Sequence, residues 1–337
     1  MTPPVTPVRP TADVLAAAVS GWVGGPVGVD GWRPPVQGAV GHVVGLRGPD
    51  DEGWVAKLFA VGAEGGHRAC TEAAALRLLA PTGAPVPRLV TTGALPPDGG
   101  DGGDAVPVVV MERLPGARWA DLRPGTDARR RGAVHEAVAL LLRRLHRVDG
   151  ERAGELVGGG RPVPADPADP AAMVVRTRAR AAAALRDYRA SGGTAVLARR
   201  AEDFLAGREH LSRGVRPVLC HGDVNGGNVL LSEADGTTVT GLVDLERASW
   251  DDPLRDLALT ALHLWHHELD DVPGLLRGYG LAGTDPDRLP VHVLVLALAE
   301  RAWVAQDRPQ GWGASAARLD GLVSSLTGRA GERDPFS

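Results

Sequence analysis

The sequence predicts an α+β chain of two unequal lobes: a small β-rich lobe with one main helix, then a larger, mostly helical lobe. Three observations predict it. Strand-like alternation runs through the stretch from Trp32 to Glu112, and helical spacing of apolar residues takes over from Asp127. The character changes at "LPG", Leu114–Gly116. A single polar hairpin around "CHGDVNGGNVLL" interrupts the helices of the second part. The boundaries are set at 1–30 for an N-terminal extension with a short helix, 31–113 for the first lobe and 114–337 for the second. A chain of 337 residues can bury a substantial core.

Each element follows from local chemistry. Thr11 to Trp22 is a short helix with Thr11 or Asp13 near its cap. "WRPPVQGAVGHVVGLRG" carries alternation and turn residues, which predicts two strands around a Gly-containing loop. "EGWVAKLFAVG" is a strand with Val55, Lys57 and Phe59 on one face and Trp54, Ala56 and Leu58 on the other. "HRACTEAAALRLLA" is a helix with an apolar stripe through Ala69, Ala73 and Leu76, stopped by "PTGAPVP". "RLVTTG" and "VPVVVMERL" are strands separated by "PPDGGDGGD", a solvated loop whose glycines give its aspartates no fixed geometry for a metal.

In the second part Asp127 to Val148 is a long amphipathic helix. A Gly/Pro/Ala linker and two Arg/Ala-rich helices follow, to about Leu211. "RPVLCHG", "NVLLSE" and "TTVTGLVDLE" are short strands, the last two joined at "ADG". Pro253 to Gly328 reads as four helices.

Composition excludes several classes. A formal charge of −4 and a pI near 6.2 argue against a nucleic-acid partner. Cys70 and Cys220 stand far apart without CxxC spacing, which predicts a reducing cytoplasm and no zinc site. "MTPPVTPVRP" lacks the pattern of a signal peptide, and the longest apolar run, Val291–Ala299, is too short for a bilayer, so no membrane partner is expected. The expected state is monomer or dimer. The chain has no isoleucine, one lysine (Lys57) and two asparagines (Asn225 and Asn228). Our hypothesis for this is a GC-rich genome that drifts Lys to Arg; a lysine that persists then marks a place where a compact ammonium is needed.

The hairpin holds a constellation of polar groups at strand ends: His221, Gly222, Asp223, Asn228 and then Asp244. The carboxylate of Asp244 and the amide oxygen of Asn228 are hard donors suited to Mg²⁺. Asp223 is then free to accept a proton from a substrate hydroxyl or to align it. Gly226 and Gly227 let the loop turn back toward Asp244. The structural alternative is a polar hairpin with an Asx-turn at Asn225 or Asn228.

"CHGDVNGGNVLL" together with "GLVDLERASWDDPLRDLA" resembles the aminoglycoside phosphotransferase family, in the wider protein-kinase-like fold. The resemblance implies a bilobal kinase-like architecture, with nucleotide bound by the first lobe and catalysis in the second. It implies ATP, or GTP, and Mg²⁺ as cofactors. Asp223 would be the catalytic base, and Asn228 and Asp244 the metal ligands. "VAKLF" makes Lys57 the phosphate lysine, and Glu72 its ion-pair partner. "VVVMERLPG" would meet adenine through backbone groups of Glu112 and Leu114, with Met111 at the back of the pocket. Asp256 resembles the buried helix carboxylate that braces the catalytic loop, which His221 also orients; His146 is expected to be structural. The family's loop often reads His-Pro-Gly-Asn where this chain has Asn225-Gly226-Gly227-Asn228, and Asp251 replaces the Gly before Asp-Pro. Gly38 and Gly41 supply only part of a Gly-rich phosphate loop.

For the acceptor, the acids after the metal motif (Asp251, Asp252, Glu268, Asp270 and Asp271, then Glu300 and Asp307) suggest a cleft that attracts a cationic amino sugar. Trp265 and Trp303 stand at helical spacing among leucines and are expected in the core. "VAKLF", "PVPRLV" and "VTGLVD" look most like the hygromycin B phosphotransferases of actinomycetes. The expected function is transfer of phosphate to a hydroxyl of a small molecule, an aminoglycoside-type antibiotic first. The alternatives are a choline, sugar or homoserine-like acceptor, a macrolide, or a pseudokinase that only binds nucleotide.

Overall fold

Alternation along Gly53–Phe59 decides the architecture of the first lobe. The computed structural model describes residues 10–37, 41–96, 104–158, 161–162, 171–266, 272–283 and 285–328. Strands β1 (Gly28–Val29), β2 (Gly41–Arg47), β3 (Gly53–Phe59), β4 (Leu89–Leu95) and β5 (Val106–Glu112) form one antiparallel sheet in the order β1-β2-β3-β5-β4. Trp54, Ala56 and Leu58 of β3 and Val106, Val108 and Val110 of β5 face outward into one cluster. Val55, Phe59, Val109 and Met111 face the other way, toward the rest of the protein. Strict period-two alternation sorts the two sets.

Helix α1 (Ala12–Val23) covers the outer face, inserting Leu15 and Val19 into its cluster. Burying each contributes about 1.5–3 kcal/mol. Thr11 caps α1 by accepting the Val14 N–H, and Gly24 ends it at a φ of 72°. The extension is thus built into the first lobe, since β1 follows α1 directly and pairs with β2. Trp32–Val36, expected to be a strand, is irregular; the strand falls earlier, at Gly28–Val29. Two prolines, Pro34 and Pro35, lack the N–H groups a ladder needs. Helix α2 (Ala63–Leu79) packs on the inner face through Ala69, Ala75, Leu76 and Leu79. Residues 97–103, all but the ends of the "PPDGGDGGD" excursion, lie outside the described residues, as does Gly38.

The second lobe opens with β6 (Ala117–Arg118), α3 (Trp119–Leu122) and α4 (Ala128–Leu145), the last capped by Asp127. Short strands β7 (Gly154–Glu155), β8 (Val157–Gly158) and β9 (Arg161–Pro162) precede α5 (Ala172–Ala190) and α6 (Ala195–Ala206). Then come β10 (Val218–Cys220), β11 (Val229–Leu231), β12 (Val239–Leu242) and β13 (Ser249–Asp251). Four helices complete the lobe: α7 (Pro253–His266), α8 (Val272–Tyr279), α9 (Asp285–Asp307) and α10 (Trp312–Leu326). Helix α9 buries Leu289, Val293, Leu294, Ala297 and Leu298, and packs against α5, α7 and α10, which explains its apolar sequence.

Strands β10 and β12, whose ends carry the loop and Asp244, do not lie in one sheet. Strand β10 pairs with β13, which pairs on its other side with β7, whereas β12 pairs with β11, which in turn pairs with β6. The loop 221–228 crosses between the two small sheets. The site sits on that crossing.

Candidate active site

The loop is held from beneath by one carboxylate. Asp256, in the first turn of α7, is fully buried and accepts the backbone N–H groups of His221 (2.6 Å) and Gly222 (2.8 Å). Burial pushes the Asp256 carboxyl up, but the hydrogen bond and charge of His146, with His221 and Arg255 nearby, hold it below the ordinary carboxylate value. Gly222 has a φ of 82°, and a Cβ there would collide with the Arg247 carbonyl, so the turn after β10 needs glycine.

His221 ties the two small sheets together. Its Nδ1 accepts the Asp223 N–H (3.1 Å), which leaves Nε2–H to donate to the Val243 carbonyl at 3.0 Å. Both ring nitrogens are committed, so His221 orients the loop. Val243 in turn donates its N–H to the Asn228 carbonyl (2.9 Å), bringing Asn228 beside Asp244. Asp244 adopts a φ of 71°, uncommon for a residue with a side chain.

Asp223 is gripped by both asparagines. Nδ2 of Asn225 donates to the Asp223 carboxylate (Oδ1, 3.0 Å), while its Oδ1 accepts the Gly227 N–H at 2.7 Å, an Asx-turn. Nδ2 of Asn228 donates to the Asp223 carbonyl at 2.9 Å. With its nitrogen so placed, the amide oxygen is the group Asn228 can offer a metal.

Lys57 joins the lobes. Its Nζ lies 2.6 Å from Asp244, 2.8 Å from Glu72 and 2.9 Å from Glu246. Burial alone would push this lysine down; Glu72, then Asp244 and Glu246, hold it well above the ordinary lysine range. Arg68, one turn before Glu72 on α2, adds a second cation at 2.7 Å from Glu246. Ligand oxygens of Glu72, Asp244 and Glu246 all lie within 4.8 Å of one another. Burial pushes the Glu72 carboxyl up against the pull of Lys57, while the hard oxygens of Asp244 suit a divalent cation. Sequence reasoning missed Glu246 and Arg68; the Asp244-x-Glu246 spacing at a strand end was the available signal.

Met111 is buried on the inner face of β5 near α2. Glu112 gives its N–H to the Arg88 carbonyl (2.9 Å), so the group it can offer a nucleotide base is its carbonyl. Leu114 lies against Gly241 of β12, at the join of the lobes.

Of the four described acids expected to line an acceptor cleft, three stand outside the cavity at the site. Asp251 is fully buried and paired with Arg176 (3.0 Å) and Arg180. Burial pushes its carboxyl up, but these arginines hold it far below the usual range. Asp251 is therefore a structural anchor for α5, which corrects its assignment as a substrate acid. Asp252 is likewise buried, with Arg288 (2.8 Å) and His292 (3.1 Å). Asp307 is exposed, and Glu268, Asp270 and Asp271 lie outside the described residues. Glu300, alone among the described acids of this group, lines a cavity of about 490 Å³ together with Asn225, Gly227, His263 and Trp303. Trp303, expected in the core, is 48 % exposed there; Trp265 does pack against the core.

Comparison with known proteins agrees with this geometry. The model of the phosphotransferase enzyme family matches residues 33–292. Among solved structures, aminoglycoside phosphotransferase APH(4)-Ia, determined with ADP and hygromycin B, shares 16% identity over 94% of this chain and 99% of its own, with a TM-score of 0.62. A candidate fructosamine-3-kinase from Thermobifida fusca shares 21% identity over 94% and 99%, with a TM-score of 0.59. Macrolide 2'-phosphotransferase MphH from Brachybacterium faecium shares 18% identity over 96% and 99%, with a TM-score of 0.57. The fold is thus protein-kinase-like throughout. The particular likeness to hygromycin B enzymes extends only to fold, since the identity to that structure is no higher than to the others.

Proposed function

The chain belongs to the phosphotransferase enzyme family, and from that premise we propose that it transfers the terminal phosphoryl group of ATP, with Mg²⁺, to a hydroxyl of a small aminated molecule of the aminoglycoside antibiotic type. The observation that carries the reading is the meeting of Lys57 with Asp244 at 2.6 Å, over a loop that presents Asp223. Lys57 binds the nucleotide phosphates, kept charged and in place by Glu72. Asp223 accepts the proton of the acceptor hydroxyl as its oxygen bonds to phosphorus and the bond to the departing ADP breaks. Asp244 and Asn228 would hold magnesium, which when bound neutralises phosphate charge. Asn225 fixes the carboxylate that takes the proton.

ADP, hygromycin B and kanamycin occupy neighbouring structures, which supports a nucleotide and a hydroxylated acceptor here. A second reading, a macrolide or fructosamine-like acceptor, draws support from the cavity, where Trp119, Leu262, Trp303 and Val304 supply an apolar wall. The test is incubation with ATP, Mg²⁺ and a panel of these compounds, followed by mass spectrometry. A phosphorylated compound supports the proposal; ATP bound but no phosphate transferred to any member contradicts it.

A further inference from the structure

The three carboxylates around Lys57 differ in what they face. Asp244 keeps 36 % of its side chain exposed, whereas Glu246 keeps 8 % and Glu72 1 %. Asp244 is therefore the member open to a ligand, and the other two are set into the protein. Glu246 divides its oxygens between two cations: Oε2 lies 2.9 Å from Nζ of Lys57, and Oε1 lies 2.7 Å from Nη1 of Arg68. From that division we propose that Glu246 and Arg68 are positioning residues, which lock α2 to the segment carrying Asp244 and so hold Lys57 where nucleotide phosphates arrive. The proposal rests on the reading of Lys57 as the phosphate-binding group given above.

The ion pairs close into a ring. Lys57 of β3 meets Glu72 of α2 at 2.8 Å and Glu246 at 2.9 Å, and Arg68 of α2 meets Glu246 at 2.7 Å. Arg68 and Glu72 are four residues apart, so they lie on one face of the helix, a turn from each other. A helix tied at one point can turn about it, and a second tie one turn away removes that freedom. Glu72 sets how close α2 lies to β3; Arg68 sets the direction in which α2 points. The second tie also crosses between lobes, since α2 belongs to the first and Glu246, between β12 and β13, to the second.

Arg68 is a fork with one prong on each side of the surface. Nη1 reaches inward to Glu246, and Nη2 reaches the exposed Glu64 at 2.6 Å. Burial opposes the Arg68 charge, and Glu64 and Glu246 sustain it. Removing either member of the lock leaves no buried charge alone. Without Arg68, Glu246 keeps Lys57; without Glu246, Arg68 keeps Glu64. Single variants are therefore expected to fold. A lock also differs from a metal ligand in a measurable way. Loss of a ligand weakens nucleotide where the metal contributes, whereas loss of a lock weakens it with and without metal.

The test is ADP binding to the full chain by calorimetry, with Mg²⁺ and with EDTA in its place. Glu246→Gln and Arg68→Met should each weaken ADP about tenfold in both buffers, and the double variant should lose no more than the worse single one. Arg68→Lys, which keeps the charge, should bind ADP more tightly than Arg68→Met, and Glu64→Gln should bind it as the wild type does. Arg68→Gln serves the same cycle should Arg68→Met fail to fold. Additive losses in the double variant, wild-type affinity in Glu246→Gln, or a loss seen only with Mg²⁺ overturns the proposal; the last outcome would make Glu246 a metal ligand. ADP bound and phosphate transferred by the wild type, with no coupling between the two residues, removes the lock and leaves the phosphotransferase reading intact. Coupling in ADP affinity with no transfer to any acceptor does the reverse. A wild-type chain that binds no ADP overturns both.

Discussion

Nζ of Lys57 lies 2.6 Å from Oδ1 of Asp244, joining residues 187 positions apart and on different lobes. The chain's single lysine thereby serves three carboxylates at once, within 2.9 Å of each. A planar guanidinium cannot meet three acceptors around one point as an ammonium does. Lys57→Arg is expected to lower kcat/KM for ATP by about a hundredfold or more. Lys57→Met should in addition destabilise the fold by about 3–5 kcal/mol, because Glu72 stays buried without its partner. Urea denaturation and steady-state kinetics read the two effects. Wild-type kinetics in Lys57→Arg would remove the lysine from the phosphate site.

The two asparagines of the loop separate by their magnesium dependence. Asn225 holds the Asp223 carboxylate, whereas Asn228 spends its amide nitrogen on the Asp223 carbonyl and keeps its amide oxygen for the metal proposed above. Asn225→Ala should lower kcat by about tenfold with an unchanged Mg²⁺ requirement. Asn228→Ala should raise the Mg²⁺ concentration needed for half-maximal rate by about tenfold or more. Identical Mg²⁺ titrations for the two variants would show that neither is a metal ligand.

Acid should unfold the second lobe through three buried aspartates. Asp251, Asp252 and Asp256 all have folded-state pKa values below the ordinary one, held down by arginine and histidine partners against burial. As pH falls, the unfolded chain takes up protons at these groups first. Their contribution is thus complete above about pH 5 and declines below about pH 4. The melting temperature should be flat from about pH 7 to 5 and then fall steeply. Asp251→Asn should lower it at pH 7 and flatten the acid slope. A slope unchanged in that variant would show that Asp251 does not drive the acid transition.

Much of this layout was legible in the sequence because it depends on local pattern. Alternation along β3 put Lys57 on one face with Val55 and Phe59, which turns inward, Thr11 stands at the cap of α1, and the helix expected from Asp127 begins there. The four C-terminal helices follow from periodicity and turn residues. What was not legible depends on distant partners. Asp251 has the sequence context of a cleft acid, yet Arg176 and Arg180 of α5 neutralise it from 75 and 71 positions away. Strands β7 and β13 are too short to carry a pattern and exist through pairing with each other, β13 also pairing with β10. Trp303 looked like core because helical spacing cannot tell a core face from a cavity wall. Glu246 was within reach, two residues after Asp244, but only the approach of Lys57 and Arg68 shows why it matters.

The most direct test of the account is Asp223→Asn, measured for nucleotide binding and for phosphate transfer to whichever acceptor the panel identifies. The side chain keeps its shape and loses its capacity to take a proton. Nucleotide affinity should stay within about twofold of the wild type while transfer falls by about a thousandfold or more. Transfer that survives this substitution would contradict the central claim, that Asp223 receives the proton of the acceptor hydroxyl.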